Sequence, residues 1–295
     1  MPAAAVSVVI VNYNAGALLE RCVRAVLASA YPAIVRVIVS DNGSVDGSLA
    51  AIKAIAHADA RVQTIENEAN PGFAAANNRA LPLAIGDYVL FLNPDCIVEP
   101  ETIARMAAAM DRDADAGMAG CLLRNPDGTE QRGCRRRMPT PASALARVLL
   151  LDRLLPRRFA GFDLTGAALP AQASAIEAIS GAFMFVRQTA LAAVGPLDEG
   201  YFLHCEDLDW CQRFADAGWK ILFVPDAVAT HAQGSSGNTN PVAVEWHKHR
   251  GMLRFYRKFQ RGRYPLPMLW LVGLGVSLRF LLVAALLTLR APFRR

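Results

Sequence analysis

Three acids fall within four positions of HCEDLDWC, residues 204–211. On a helix, Asp207, Trp210, Cys211 and Phe214 recur at i, i+3, i+4 and i+7 and share one face. That spacing turns Asp207 inward, in the first turn of a helix whose other inward residues are apolar. An acid in a first turn commonly offsets the helix dipole. An inward carboxylate beside Trp210 suits a general base instead, because partial desolvation is expected to raise its pKa and help it accept a proton. Glu206 is the alternative base or an acceptor contact. Asp209 pairs with Arg213 at i, i+4 on another face, a structural role.

A further carboxylate, Asp95, closes the tripeptide Asn93-Pro94-Asp95 after the apolar run VLFL. Just past a buried strand, a carboxylate can hold a hard divalent cation, Mg2+ or Mn2+, against a substrate diphosphate. The same tripeptide also suits an Asx-Pro turn. His231 opens HAQGSSG directly after a short strand, where it can be another metal ligand or a phosphate donor. NPGFAAANNR (70–79) supplies a turn at Gly72 and then Asn77, Asn78 and Arg79 on one helical turn. Arg79 can meet a phosphate or a base edge, although a solvated helix arginine is the ordinary case.

Strands and helices must position these groups. AVSVVIVNY (5–13), VRVIVS (35–40), RVQTIEN (61–67) and DYVLFLN (87–93) are continuous apolar runs, with helical patterns after them through 17–27, 46–57 and 73–85. Continuous rather than alternating strands, each followed by a helix, predict a parallel sheet covered on both faces. Ligands of such sheets sit at the carboxyl ends of the strands. Asn12, Asp41 with Asn42, Glu66 with Asn67, and Asn93 with Asp95 all fall there. Beyond 124 the chain is less regular, and 124–170 reads as arginine-rich loops and short helices. A strand pattern over 176–188, a loop over 195–204, a helix over 205–217, a strand over 219–225 and a basic helix over 241–263 follow.

Charge divides the chain. Residues 1–245 hold all 26 acids against 20 Lys and Arg, whereas 246–295 hold 11 Lys and Arg and no acid. An acidic globule with a basic, apolar tail points to an anionic membrane surface and away from nucleic acid. MLWLVGLGVSLRFLLVAALLTL (268–289) would measure about 33 Å as a helix, near the ~30 Å hydrocarbon thickness, which favours insertion, with a broken or re-entrant hairpin at the central Arg279 or packing against another protein as the alternatives. Six cysteines without a CxxC read as free thiols in a reducing compartment. No GxSxG, P-loop or HExxH occurs, which counts against the corresponding hydrolase, NTPase and zinc-protease classes.

VSVVIVNYN, VIVSDNGSVDGS, NPGFAAANN, VLFLNPD, SGAFMFVRQTALAAVGPLDEGYFLHCEDLDWCQRFADAGW and HAQGSS occur in that order across roughly residues 6–236. Together they resemble the inverting family-2 glycosyltransferases, and within them a rhamnosyltransferase-like branch. The resemblance implies a GT-A-type, Rossmann-like, mostly parallel mixed sheet. It also implies base and ribose contacts from Asn12, Tyr13 and Asp41, with Asn42, Gly72, Asn77, Arg79 and Asn93 as further donor-side candidates. Asp95 would hold the metal, His231 would assist it, and Asp207 would be the base. Asn93 stands where many relatives carry an acid, which removes one formal charge from that motif.

The expected organisation is a catalytic domain over 1–240, with a nucleotide half to 123 and an acceptor half after it. A basic juxtamembrane helix over 241–263 and an apolar membrane segment over 264–295 complete it. The expected function is transfer of a sugar, which the resemblance makes rhamnose from dTDP-rhamnose, to a lipid-linked or polysaccharide acceptor at the cytoplasmic face of the cell membrane. A sugar nucleotidyltransferase is the rival enzyme, but residues 12–24 lack a Gly-rich phosphate loop. A non-catalytic membrane scaffold would have no reason to keep Asp95, Asp207 and His231.

Overall fold

The computed structural model describes residues 3–148, 154, 162–232 and 240–290. The Gly/Ser stretch after Ala232 and the basic end after Arg290 lie outside the described residues.

The four apolar runs form β1 (Val6–Asn12), β2 (Ile34–Asp41), β3 (Val62–Glu66) and β4 (Tyr88–Leu92). They pair in parallel in the order β3-β2-β1-β4. Helices α1 (Ala17–Leu27), α2 (Ser48–Ala58) and α3 (Phe73–Ala80) connect them. The third is shorter than its pattern predicts. A 3-10 turn at Leu81–Leu83 ends it, because Pro82 cannot continue an α-helix. Along β1 the side chains alternate between two cores. Val8 and Ile10 pack with Leu19 and Val23 on one face of the sheet, and Val9 packs with Ile38, Phe91 and Trp210 on the other.

The sheet continues through segments less visible in the sequence. β5 (Cys96–Val98), α4 (Thr102–Arg112) and β6 (Ala116–Arg124) follow β4. β7 (Arg135–Arg136) lies in the arginine-rich region, next to α5 (Pro141–Val148). The predicted 176–188 strand is two strands, β9 (Ala178–Ile179) and β10 (Phe183–Arg187), broken at Ser180–Gly181, and β8 (Ser174–Ala175) precedes them. After α6 (Gln188–Val194) and α7 (Glu206–Asp216), β11 runs over Lys220–His231. It extends past the predicted end because a bulge between Val224 and Val228 accommodates Pro225. β10 is antiparallel to β4 and β6, and β11 is parallel to β6 and antiparallel to β5, so the whole sheet is mixed.

α8 (Pro241–Phe259) starts on an Asn240 side chain that accepts from the Val242 and Ala243 amides, with Pro241 in the first turn. It is latched to the globule by charge. Asp209, fully buried, pairs with Arg213 at 2.8 Å as its spacing predicts, and also with Lys258 of α8 at 2.7 Å. Asp198 takes Arg254 at 2.8 Å and Lys258 at 2.7 Å. α9 (Leu266–Arg290) returns antiparallel along α8, with Leu253 over Gly273 and Trp246 against Phe280 at 5.4 Å. Val272 and Val276 are buried in that seam, while Leu271, Leu274, Leu278, Leu281 and Leu282 are exposed.

Candidate active site

A cavity of about 1000 Å³ opens at the carboxyl ends of β1, β2 and β4 and runs on to α8 and α9. Tyr13, Asn42, Gly72, Asn93, Asp95, Glu206, Asp207 and His231 all line it. Strand ends and a helix start separated by more than a hundred residues thus meet in one cleft. At Gly72, φ is +93° and a Cβ would sit 2.6 Å from the Phe202 carbonyl, so only glycine lets α3 abut the loop that carries Phe202.

Asn12, Asp41 and Asn77 lie behind the wall instead, and Arg79 is exposed away from the cavity lining. Asn12 is fully buried, and its amide donates to Asp41 at 2.6 Å and to Ser44 and Ser48 at 3.0 and 2.8 Å. Asp41 also accepts from the Gly43 and Ser44 amides, so this pair shapes the loop after β2 and leaves Asn42 to face the cavity. Asn77 bonds back to the Phe73 carbonyl inside its own helix, and Arg79 is spent on the Asn67 side chain at 2.7 Å.

Asp95 and His231 form the acidic end of the cleft. Asp95 Oδ1 lies 3.0 Å from His231 Nε2, and Asn93 lies 3.4 Å from the same nitrogen. Gln131 determines the tautomer. Its amide nitrogen donates to the His231 and Asn125 oxygens, so its Oε1 must accept from His231 Nδ1, at 2.5 Å. Nε2 is then the ring nitrogen turned toward the Asp95 carboxylate, where the two can share a cation. One carboxylate and one imidazole, with open cavity beside them, fit a divalent ion that completes its shell with diphosphate oxygens. Cys96, the third group within 4.8 Å, is buried outside the cavity lining and its Sγ donates to Ala182 O, so it is not turned toward the space Asp95 and His231 share.

Asp207 departs from expectation in its ionisation. Arg136 Nη2 donates to Asp207 Oδ2 at 2.5 Å, the Gly181 amide adds a bond at 3.0 Å, and the Leu208 amide donates to Oδ1 at 2.8 Å. Burial works to raise its pKa, but the guanidinium and these amides together hold it below the usual carboxylate value. Arg136 also donates to the Ile179 carbonyl. The raised carboxyl is Glu206. Burial and the adjacent Asp207 charge push it up to about 8, and its buried Oε2 has no hydrogen-bond partner among the described residues. Ahead of this pair, His204 and Cys205 both hold positive φ, at 67° and 70°, a rare conformation for residues with a side chain. Such strain clusters where a loop must aim functional groups.

Glu206 gives a stability test. Between the ordinary carboxyl range and about 8, the folded chain holds a proton on Glu206 that the unfolded chain releases. Stability therefore falls as pH rises through that window, by up to about 1.4 kcal/mol per pH unit. Glu206→Gln removes this dependence. Its melting temperature relative to wild type is expected to climb between pH 5 and pH 8, and a constant difference would place the raised carboxyl elsewhere.

Sheet, strand-end cleft and facing carboxylates are those of a GT-A glycosyltransferase. Two solved structures share the fold: GalNAc-T7 with UDP, GalNAc and Mn2+ (TM-score 0.63, 18% identity, covering 87% of this chain and 48% of that one) and the mannosyltransferase PcManGT of Pyrobaculum calidifontis with GDP-Man and Mn2+ (TM-score 0.60, 20% identity, 99% and 76%). The model of glycosyl transferase family 2 matches residues 7–175, more than half of the chain, and the chain belongs to that family. It is similar to the N-acetylglucosaminyl-diphospho-decaprenol L-rhamnosyltransferase of Mycobacterium tuberculosis, 29% identical over 92% of this chain and 90% of that one. The rhamnosyltransferase WbbL of Escherichia coli is 27% identical over 60% and 67%. Glu206, Asp207 and His231 lie beyond the family-model match, and the M. tuberculosis likeness extends over nearly the whole chain.

Proposed function

We propose that this glycosyltransferase moves L-rhamnose from dTDP-rhamnose to a sugar carried on a lipid diphosphate, with inversion, at a membrane surface. The near full-length likeness to the M. tuberculosis rhamnosyltransferase carries this reading. The donor's nucleoside would lie along Tyr13 and Asn42, with its diphosphate toward Asp95 and His231. A divalent ion held by Asp95 and His231 would neutralise the leaving diphosphate. Asp207 is the base. It is the carboxyl ionised at neutral pH, whereas Glu206 is protonated there and serves as a hydrogen-bond donor to the acceptor sugar. The acceptor oxygen attacks the anomeric carbon as its proton passes to Asp207. The bond from that carbon to the diphosphate breaks, and its electron pair leaves on the phosphate oxygen. Arg136 keeps the carboxylate ionised and aimed. In a thermal-shift screen with divalent metal, dTDP-sugars are expected to stabilise the protein more than UDP- or GDP-sugars, and a clear preference for another base overturns the rhamnose assignment.

The C-terminal helices support attachment in the plane of the membrane. Leu266–Leu289 is long and apolar enough to cross, with mean hydropathy 2.2. Yet α8 lies along most of it and carries Lys248, Arg250, Arg254, Arg257 and Lys258. Drawing that partner to the bilayer centre would cost roughly 2.5–3.5 kcal/mol per charge. Lying flat, α9 sinks its exposed leucines into lipid and leaves α8 at the anionic surface. A cysteine introduced by Arg290→Cys is therefore expected to react with an impermeant maleimide from the side that bears the catalytic domain. Labelling only from the opposite side would mean that α9 spans.

A further inference from the structure

The cavity is longer than donor and base require. Past Glu206 and Asp207 it continues between α5, α8 and α9, where Lys248, His249 and Arg279 line it. The sheet supplies its acidic end, and the two C-terminal helices supply a cationic one.

Arg279 is the informative residue. Val272, Val276, Arg279 and Val283 fall at i, i+4, i+7 and i+11, the stripe of α9 turned toward α8, and not on the stripe of exposed leucines. A charge in so apolar a helix is thus presented to the cleft mouth and not to lipid. His249, 3% exposed, is the second observation. Its Nδ1 is bonded to the Glu245 carbonyl at 2.7 Å, and its buried Nε2 has no hydrogen-bond partner among the described residues. Burial, with Arg279 and Lys248 adding to it, keeps that ring's pKa down. The opposing charge is the Glu245 carboxylate, which lies 3.4 Å from the bonded Nδ1 and 3.5 Å from Lys248, on the side of the ring away from Nε2. Two cations and an orphaned imidazole nitrogen at one cavity end are the complement of a phosphate-ester anion. An arriving anion would offset both cations and let His249 take up a proton and donate from Nε2.

Resting on the lipid-diphosphate reading above, we propose that Lys248, His249 and Arg279 form the subsite for the acceptor's diphosphate. The site lies one stretch of cleft beyond Asp207, and His204 between them feels the charges of Lys248, Asp207 and Arg136 together. An acceptor sugar therefore spans from the base to the cations. With α9 in the membrane plane, Arg279 stands where a lipid's diphosphate leaves the bilayer. The apolar wall at Met252 and Val276 is left for the first carbons of the lipid chain.

The test uses the full-length protein in neutral detergent, with nucleotide sugar and divalent metal. Two acceptors carry the same sugar, one on a lipid diphosphate and one as an uncharged alkyl glycoside. Lys248→Gln and Arg279→Gln are each expected to raise KM for the diphosphate acceptor by roughly 10- to 100-fold, with kcat changed by only a few-fold. The wild-type preference for the diphosphate acceptor is expected to collapse in the double variant, and Arg279→Lys to restore part of it. Donor-induced thermal stabilisation, read on the same samples, verifies folding. An unchanged KM in a folded variant overturns the assignment. So does an equal loss on both acceptors, the mark of a structural role, or, when the assay is repeated on anionic vesicles, a defect that appears only there, the mark of a bilayer headgroup contact. A wild type that transfers to neither acceptor overturns the functional reading itself, and this subsite with it.

Discussion

Asp207→Asn is expected to cut turnover by about 10²- to 10⁴-fold, the range for loss of a general base. The variant should keep the fold, because the amide oxygen of asparagine can take the place of Oδ2 and still accept from Arg136 and the Gly181 amide. Donor binding should also persist, since Asp207 lies beyond the strand-end groups assigned to the nucleotide. KM for the donor is thus expected to change little while kcat collapses. Turnover within a few-fold of wild type would move the base elsewhere, and Glu206 would be the first group to examine. Arg136 sharpens the reading. Its pair keeps Asp207 ionised at low pH, so the acid limb of the wild-type pH–rate profile should lie below the ordinary aspartate range. Arg136→Gln is expected to shift that limb upward.

Asp95→Ala is expected to abolish most transfer, with a loss on the order of 10²–10³-fold or more, because the leaving diphosphate would lose its charge partner. Chelation by EDTA should do the same to the wild type, and Mn2+ or Mg2+ should restore it. A binding readout separates chemistry from assembly. Metal-dependent thermal stabilisation by the nucleotide diphosphate should vanish in Asp95→Ala and weaken in His231→Ala. Gln131→Leu should weaken it too, because the His231 tautomer would then be unfixed. Full activity in EDTA would contradict the metal assignment.

The strand-ends of the first half were legible because continuous β-branched runs and turn residues leave little choice of structure. Asp95 and His231 could be singled out as strand-end groups, and Asp207 by its helical face. What escaped was long-range pairing. Arg136 falls in a stretch that reads as arginine-rich loops and short helices, yet β7 alternates, sending Arg135 to Glu130 and Arg136 to Asp207. Without that partner, burial alone set the expected direction of the Asp207 pKa, and the direction was reversed. Gln131 sits a hundred positions from His231 and carries no local signal. β6 was obscured by composition. Its Gly117 and Gly120 weaken a strand pattern, but a Cβ there would lie 2.8 Å from Trp219 and 2.7 Å from Ile179, so the packing demands them. Asn12 and Asp41 were rightly placed at strand ends, but each satisfies the other and their loop.

The most direct measurement incubates the purified full-length chain with dTDP-rhamnose, divalent metal and an N-acetylglucosaminyl-diphospho-lipid, then reads the product by mass and by the anomeric configuration of the new linkage. One added deoxyhexose is expected, with configuration inverted relative to the donor and absent in Asp207→Asn. A retained configuration, or no product from this pair while another nucleotide sugar is transferred, would contradict the proposed reaction.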